Sequence, residues 1–132
     1  NRVDIPLDDF PIEAPFWDIG IKSVFHLSAA IRRAGTIILN GPSGVFENPD
    51  FALGTIEMLN ACAESDGYAV MGGGHTATLV AQRGLANKMG HVSTGGGACL
   101  DYIAGRPLPA VVSLEQSAVA FGIDITSAER KV

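Results

Sequence analysis

The chain has 132 residues, a formal net charge of −5, 47% hydrophobic residues and 17% charged ones. That length suits one domain with a real core, the hydrophobic share excludes a disordered chain, and the acidic balance excludes non-specific nucleic-acid binding. The low charged fraction leaves surface for a partner or a further segment to cover.

Residues 2–7 alternate weakly and predict a short strand, and Pro11 and Pro15 keep residues 10–17 out of helix. Asp18 is placed to cap a helix running to about Ala34. In it Ile21, Val24, Phe25, Ser28 and Ile31 recur at helical spacing, Arg32 and Arg33 suit the last turn, and Gly35 follows the end. Residues 36–39 read as a buried, β-branched strand. Asn48, Pro49 and Asp50 then mark a helix start, with Ala52, Ile56, Leu59 and Ala63 as its buried stripe and Asp66-Gly67 as its end. A second strand is predicted over 68–71, a short helix over 76–83, a third strand over 91–92 and a helix over 98–104 that Gly105 closes. From Pro107 and Pro109 an irregular tail is expected to 132.

Alternating strands and helices call for right-handed crossovers. The expected fold class is therefore α/β: a three-layer, open, mostly parallel sheet with helices on both faces, Rossmann-like and partial, with residues 1–132 as one partial domain. The chain starts without a cap or turn before Asn1, as a segment of a larger protein does. No run approaches membrane length, no leader precedes the first elements, and Cys62 and Cys99 read as buried thiols in a reducing compartment, so the cytoplasm is the expected location.

Each predicted strand ends in a glycine loop: Gly41-Pro42-Ser43-Gly44, Gly72-Gly73-Gly74 and Gly95-Gly96-Gly97. Free N–H groups and the positive end of a helix hold phosphate at such corners. Three in succession point to a nucleotide or phosphate cleft along one sheet edge. Gly72-x-Gly74-x-x-Ala77 formally meets the dinucleotide fingerprint, which also asks for an acid at the end of the next strand, where Ser93-Thr94 stand. In the 40–47 loop, Val45 and Phe46 offer an apolar surface to a base, and Glu47 either accepts from ribose hydroxyls or faces solvent. Phe16 and Trp17 read as packing, and His26 and His91 make no ligand spacing.

The runs Asn-Gly-Pro-Ser-Gly-Val-Phe-Glu at 40–47, Gly-Gly-Gly-His-Thr at 72–76 and Ser-Thr-Gly-Gly-Gly-Ala at 93–98 resemble phosphoglycerate kinase in order and approximate spacing. Asp18-Ile19-Gly20 and Gly105-Arg106 extend the resemblance to about residues 1–115, and residues 3–6 are more like archaeal members. The resemblance implies the C-terminal, nucleotide-binding lobe of a two-lobed kinase. That enzyme moves a phosphoryl group between 1,3-bisphosphoglycerate and ADP, with Mg²⁺, in glycolysis. It implies that Glu47 holds the ribose and that Asn40, Gly41, Pro42 and Val45 line the adenosine pocket. Gly73, Gly74, His75 and Thr76 would meet the nucleotide phosphates. Gly95, Gly96 and Gly97 would be the catalytic residues, giving N–H groups to the phosphoryl group in flight.

His75 stands where many members carry an Asp that binds Mg²⁺, and imidazole is a poor ligand for that hard cation. Either His75 touches phosphate itself, or the metal rests on nucleotide oxygens and water, or His75 caps its helix. The family's basic 3-phosphoglycerate site lies on an N-terminal lobe that is missing from this sequence, so this chain alone is expected to be inactive. The expected partners are ADP or ATP, with no nucleic acid and no membrane. The alternatives are a non-catalytic nucleotide-binding module and an NAD(P)-binding Rossmann domain.

Overall fold

A computed structural model describes residues 2–124. The chain divides into two compact units, Asn1–Gly96 and Gly97–Val132. The first holds an open parallel sheet of β1 (Thr36–Asn40), β2 (Tyr68–Gly72) and β3 (His91–Ser93), in that spatial order. Helix α1 (Ile21–Arg33) precedes β1, α2 (Leu53–Glu64) links β1 to β2, and α3 (Gly74–Gln82) links β2 to β3. This is the Rossmann-like α/β arrangement that the alternating pattern predicts. Register places Asn40 beside Gly72 and Gly72 beside Ser93. The three strands therefore finish abreast, and their loops leave from one edge.

Alternation along the strands sends Ile37, Ala69 and Met71 to one face. There they pack with Leu59 and Cys62 of α2, Val80 of α3 and Met89, with Ile31 of α1 against the cluster. Of the helical layers expected on both faces, the first unit carries this one. On its other face Ile38 and Tyr68 are 47% and 56% exposed. Burial pushes the Cys62 thiol up to about 11, so it packs as a small apolar group at neutral pH. No helix of the described residues is long and apolar enough to cross a membrane.

Several boundaries differ from the sequence expectation, each for a tertiary reason. Residues 2–7 form no strand; a 3₁₀ turn covers Leu7–Asp9, and side chains tie the segment down instead of a ladder. Arg2 donates to Asp4 Oδ1 at 3.0 Å, Asp18 Oδ2 at 2.7 Å and Ile19 O at 2.8 Å, while Asp4 Oδ2 accepts the Ile21 N–H at 3.1 Å. Asp18 does not cap α1, which follows Gly20. Its Oδ1 accepts from Ile19 N–H at 2.9 Å, and its Oδ2 also takes the Gly54 N–H, 36 residues on, at 2.9 Å. Asn48 does cap, accepting from Asp50 N–H, but what it caps is the 3₁₀ turn Pro49–Phe51, and α2 begins at Leu53. The buried side of α2 is Gly54, Thr55, Met58, Leu59, Ala61 and Cys62, so of the predicted stripe Leu59 is buried while Ile56 and Ala63 are only half-buried.

The second unit contains α4 (Gly97–Ile103) and α5 (Pro109–Ala120). Between them Arg106 turns back to Asp101 Oδ1 at 3.1 Å. The irregular tail expected over 107–132 is corrected by α5. Pro109 stands at the first helical position, where its missing N–H leaves nothing unpaired. Residues 125–132 lie outside the described ones. Cys99, in α4, is half-buried and, like Cys62, free.

Candidate functional site

The first unit's strand ends converge on Asn40. Its Nδ2 donates to Gly96 O at 3.4 Å. Its Oδ1 lies 2.7, 3.4 and 3.7 Å from the positions that a Cβ would take at Gly72, Gly73 and Gly96. A Cβ at Gly96 would also stand 3.6 Å from Gly73 Cα. A Cβ at Gly72 would press on the Asn40 side chain, whereas at Gly73 and Gly96 it would make ordinary contacts with the neighbouring corner. Gly41 and Gly73 turn with φ of +92° and +98°, conformations that a side chain disfavours. Asn40, Gly41, Gly73 and Gly96 are thus brought together.

The loop after β1 is held from outside along its length. Gly41 N–H reaches Thr76 Oγ1 and Gly72 O, both at 3.2 Å. Ser43 and Gly44 donate to Thr55 Oγ1 at 3.0 and 3.3 Å, and Val45 donates to Trp17 O at 2.7 Å. Between this loop and the chain before α1 lies an open cleft of about 260 Å³. Pro42, Gly44 and Val45 form one wall, and Phe16, Trp17 and Ile19 form the other. Trp17 is 41% exposed and leans on Phe51, with ring centroids 5.1 Å apart. Phe16 and Trp17, expected as packing, are both exposed in this concave wall. Glu47 is exposed on the same loop, outside the cleft lining. Phe46 turns toward His75 of α3, with ring centroids 6.0 Å apart.

Helix α3 begins after Gly73, and no side chain caps it. The N–H groups of Gly74, His75 and Thr76 are those that a helix start leaves without intrahelical partners. Dipole and free donors together make this end attractive to an anion. The Thr76 side chain is 2% exposed and points inward to Gly41, so it braces the β1 loop and can offer an outside group its backbone N–H alone. At the third corner Gly95 N–H is held by Ser93 Oγ at 3.2 Å. Gly97 opens α4 and belongs to the second unit. Among the described residues no three His, Cys, Asp or Glu side chains gather as a metal site. With His75 as the nearest such group on α3, the residues present do not build a resident Mg²⁺ centre.

The family model for phosphoglycerate kinase matches residues 1–106. The phosphoglycerate kinase of Methanocorpusculum labreanum is 46% identical over 122 residues, which is 92% of this chain and 30% of that protein. That of Methanothermus fervidus is 44% identical over 117 residues, covering 89% and 28%. Among solved structures, phosphoglycerate kinase from Pyrococcus horikoshii OT3 superposes with a TM-score of 0.67 at 38% identity, over 78% of this chain and 25% of that one. The Coxiella burnetii enzyme gives 0.64 at 39%, over 72% and 24%. The chain thus spans less than a third of the length of these relatives.

Proposed function

This chain belongs to the phosphoglycerate kinase family, and on that premise we propose that its first unit binds ADP or ATP across the carboxyl edge of the sheet. The nucleoside lies in the cleft between Trp17 and the Pro42–Val45 wall, with Glu47 reaching the ribose hydroxyls. The phosphates run to the uncapped start of α3, where the N–H groups of Gly74, His75 and Thr76 receive them. The observation that carries this reading is the pairing of an open cleft, walled by Trp17 and Pro42–Val45, with an uncapped helix start whose Thr76 Oγ1 accepts from Gly41 N–H at the root of that wall.

In the reaction proposed for the longer protein, a β-phosphate oxygen of ADP forms the new P–O bond and the acyl phosphate bond of 1,3-bisphosphoglycerate breaks. Such a transfer needs positioning and neutralised charge more than covalent help. Fixed N–H donors supply the second without reorganising. Gly96, packed against Gly73, keeps the third corner next to the phosphates. Mg²⁺ would arrive on nucleotide oxygens and screen their charge. Holding the phosphoglycerate is assigned to chain beyond these residues.

Titration calorimetry with Mg·ADP tests the reading. The wild type binds, and Glu47→Ala weakens binding by about 1–2 kcal/mol through the lost ribose bonds. A folded wild type that gives no heat removes the nucleotide assignment; an unchanged dissociation constant in the variant removes Glu47 from the site.

A further inference from the structure

We infer that Thr55 is a positioning residue for the nucleoside: its buried hydroxyl sets the width of the cleft without touching the ligand. The inference rests on the nucleotide reading above. Thr55 lies in the first turn of α2, 3% exposed. Its Oγ1 accepts from two consecutive backbone donors, Ser43 N–H at 3.0 Å and Gly44 N–H at 3.3 Å. A hydroxyl oxygen has two lone pairs, so this acceptor is saturated. Both donors belong to the wall that carries Pro42 and Val45.

The residue before Thr55 does the same for the other wall. Gly54 N–H donates to Asp18 Oδ2 at 2.9 Å, and Asp18 follows Phe16 and Trp17 in the opposite lining. Val45 N–H to Trp17 O, at 2.7 Å, joins the walls directly at one point. Two neighbouring residues of one helix therefore fix the separation of the walls. There is no slack to absorb a shift: a Cβ on Gly44 would stand 2.7 Å from both Trp17 O and Phe51 O. A hydroxyl at residue 55 is required by this arrangement, whereas an apolar side chain of the same shape would leave two inward N–H groups unpaired and push the 43–44 segment outward.

The test compares Thr55→Val, which keeps the shape and loses the acceptor, with Thr55→Ser, which keeps the acceptor. Calorimetry with Mg·ADP is expected to show Thr55→Val weakened about tenfold and Thr55→Ser within about twofold of wild type. Amide hydrogen exchange is expected to quicken at Ser43 and Gly44 in Thr55→Val alone. Equal losses in both variants, or wild-type affinity in Thr55→Val, overturn the inference. A folded wild type that binds no Mg·ADP overturns the nucleotide reading and this one with it. If Thr55→Val does not fold, exchange on the wild type decides. Protection of Ser43 and Gly44 rises on adding Mg·ADP if their wall holds the nucleoside, and unchanged protection rules the role out.

Discussion

The corners after β1 and β2 sit side by side and are built on opposite plans. The β1 loop has its donors matched from outside: Thr76 and Gly72 take Gly41, Thr55 takes Ser43 and Gly44, and Trp17 takes Val45. The β2 corner is bare. Gly73 turns with φ +98° and hands the chain to a helix whose first donors meet no capping side chain. One corner uses its hydrogen bonds to hold a shape, and the other leaves them unused. A backbone cannot do both with the same N–H groups, which is why a site needing a shaped wall and a free anion cradle takes two corners.

The largest expected effect lies in the shaped corner. Gly44→Ala drives a Cβ to 2.7 Å from two backbone carbonyls, which cannot step aside as a side chain would. Overpacking of this kind should lower unfolding free energy by about 3 kcal/mol, read from urea denaturation. In the bare corner Gly73→Ala meets strain from its positive φ, for a loss of about 1–2 kcal/mol. Its damage to Mg·ADP affinity should exceed its damage to stability. If Gly73→Ala proves the more destabilising of the two, the contrast between the corners fails.

The smallest effect lies in the network that holds Asp18, across the cleft from the shaped corner. The Ile21 N–H, with Arg2 alongside, holds the Asp4 carboxyl below the usual carboxylate range against the opposing pull of burial. Its folded-state pKa lies under its unfolded one, so its contribution is present above about pH 4 and disappears as pH falls through the folded value. The side chain is 36% exposed, which limits the contribution to about 0.3 kcal/mol. Asp4→Asn should flatten the acid limb of the stability profile by that amount. A variant with the wild-type acid limb would detach Asp4 from the Arg2–Asp18 network.

Elements whose cause is local were legible. A short run ending in a glycine loop marked each strand of the sheet, and Asn48-Pro49-Asp50 marked a helical start, because a cap and its donor are neighbours. What stayed hidden depends on partners far along the chain. Asp18 has the local signature of a cap, yet Gly54 and Arg2 take its carboxylate. Thr76 sits in a phosphate-like motif, yet its hydroxyl faces Gly41. Residues 2–7 alternate like a strand, but alternation says nothing about whether a ladder partner exists. In the site, the family resemblance pointed to the 40–47 and 72–76 runs. It did not reach Phe16, Trp17 or Thr55, which carry no motif: Phe16 stacks on Phe10, Trp17 leans on Phe51, and Thr55 meets the loop through Ser43 and Gly44. Pro109 suggests the start of an irregular tail, though at the first position of α5 it is a helix initiator.

The chain has a single tryptophan, and that residue stands in the cleft wall. Indole emission from this protein therefore comes from one place, a half-open ring edge beside Phe51. Any molecule that settles there must change the solvent around that ring, so the protein carries its own optical reporter of occupancy and needs no attached dye.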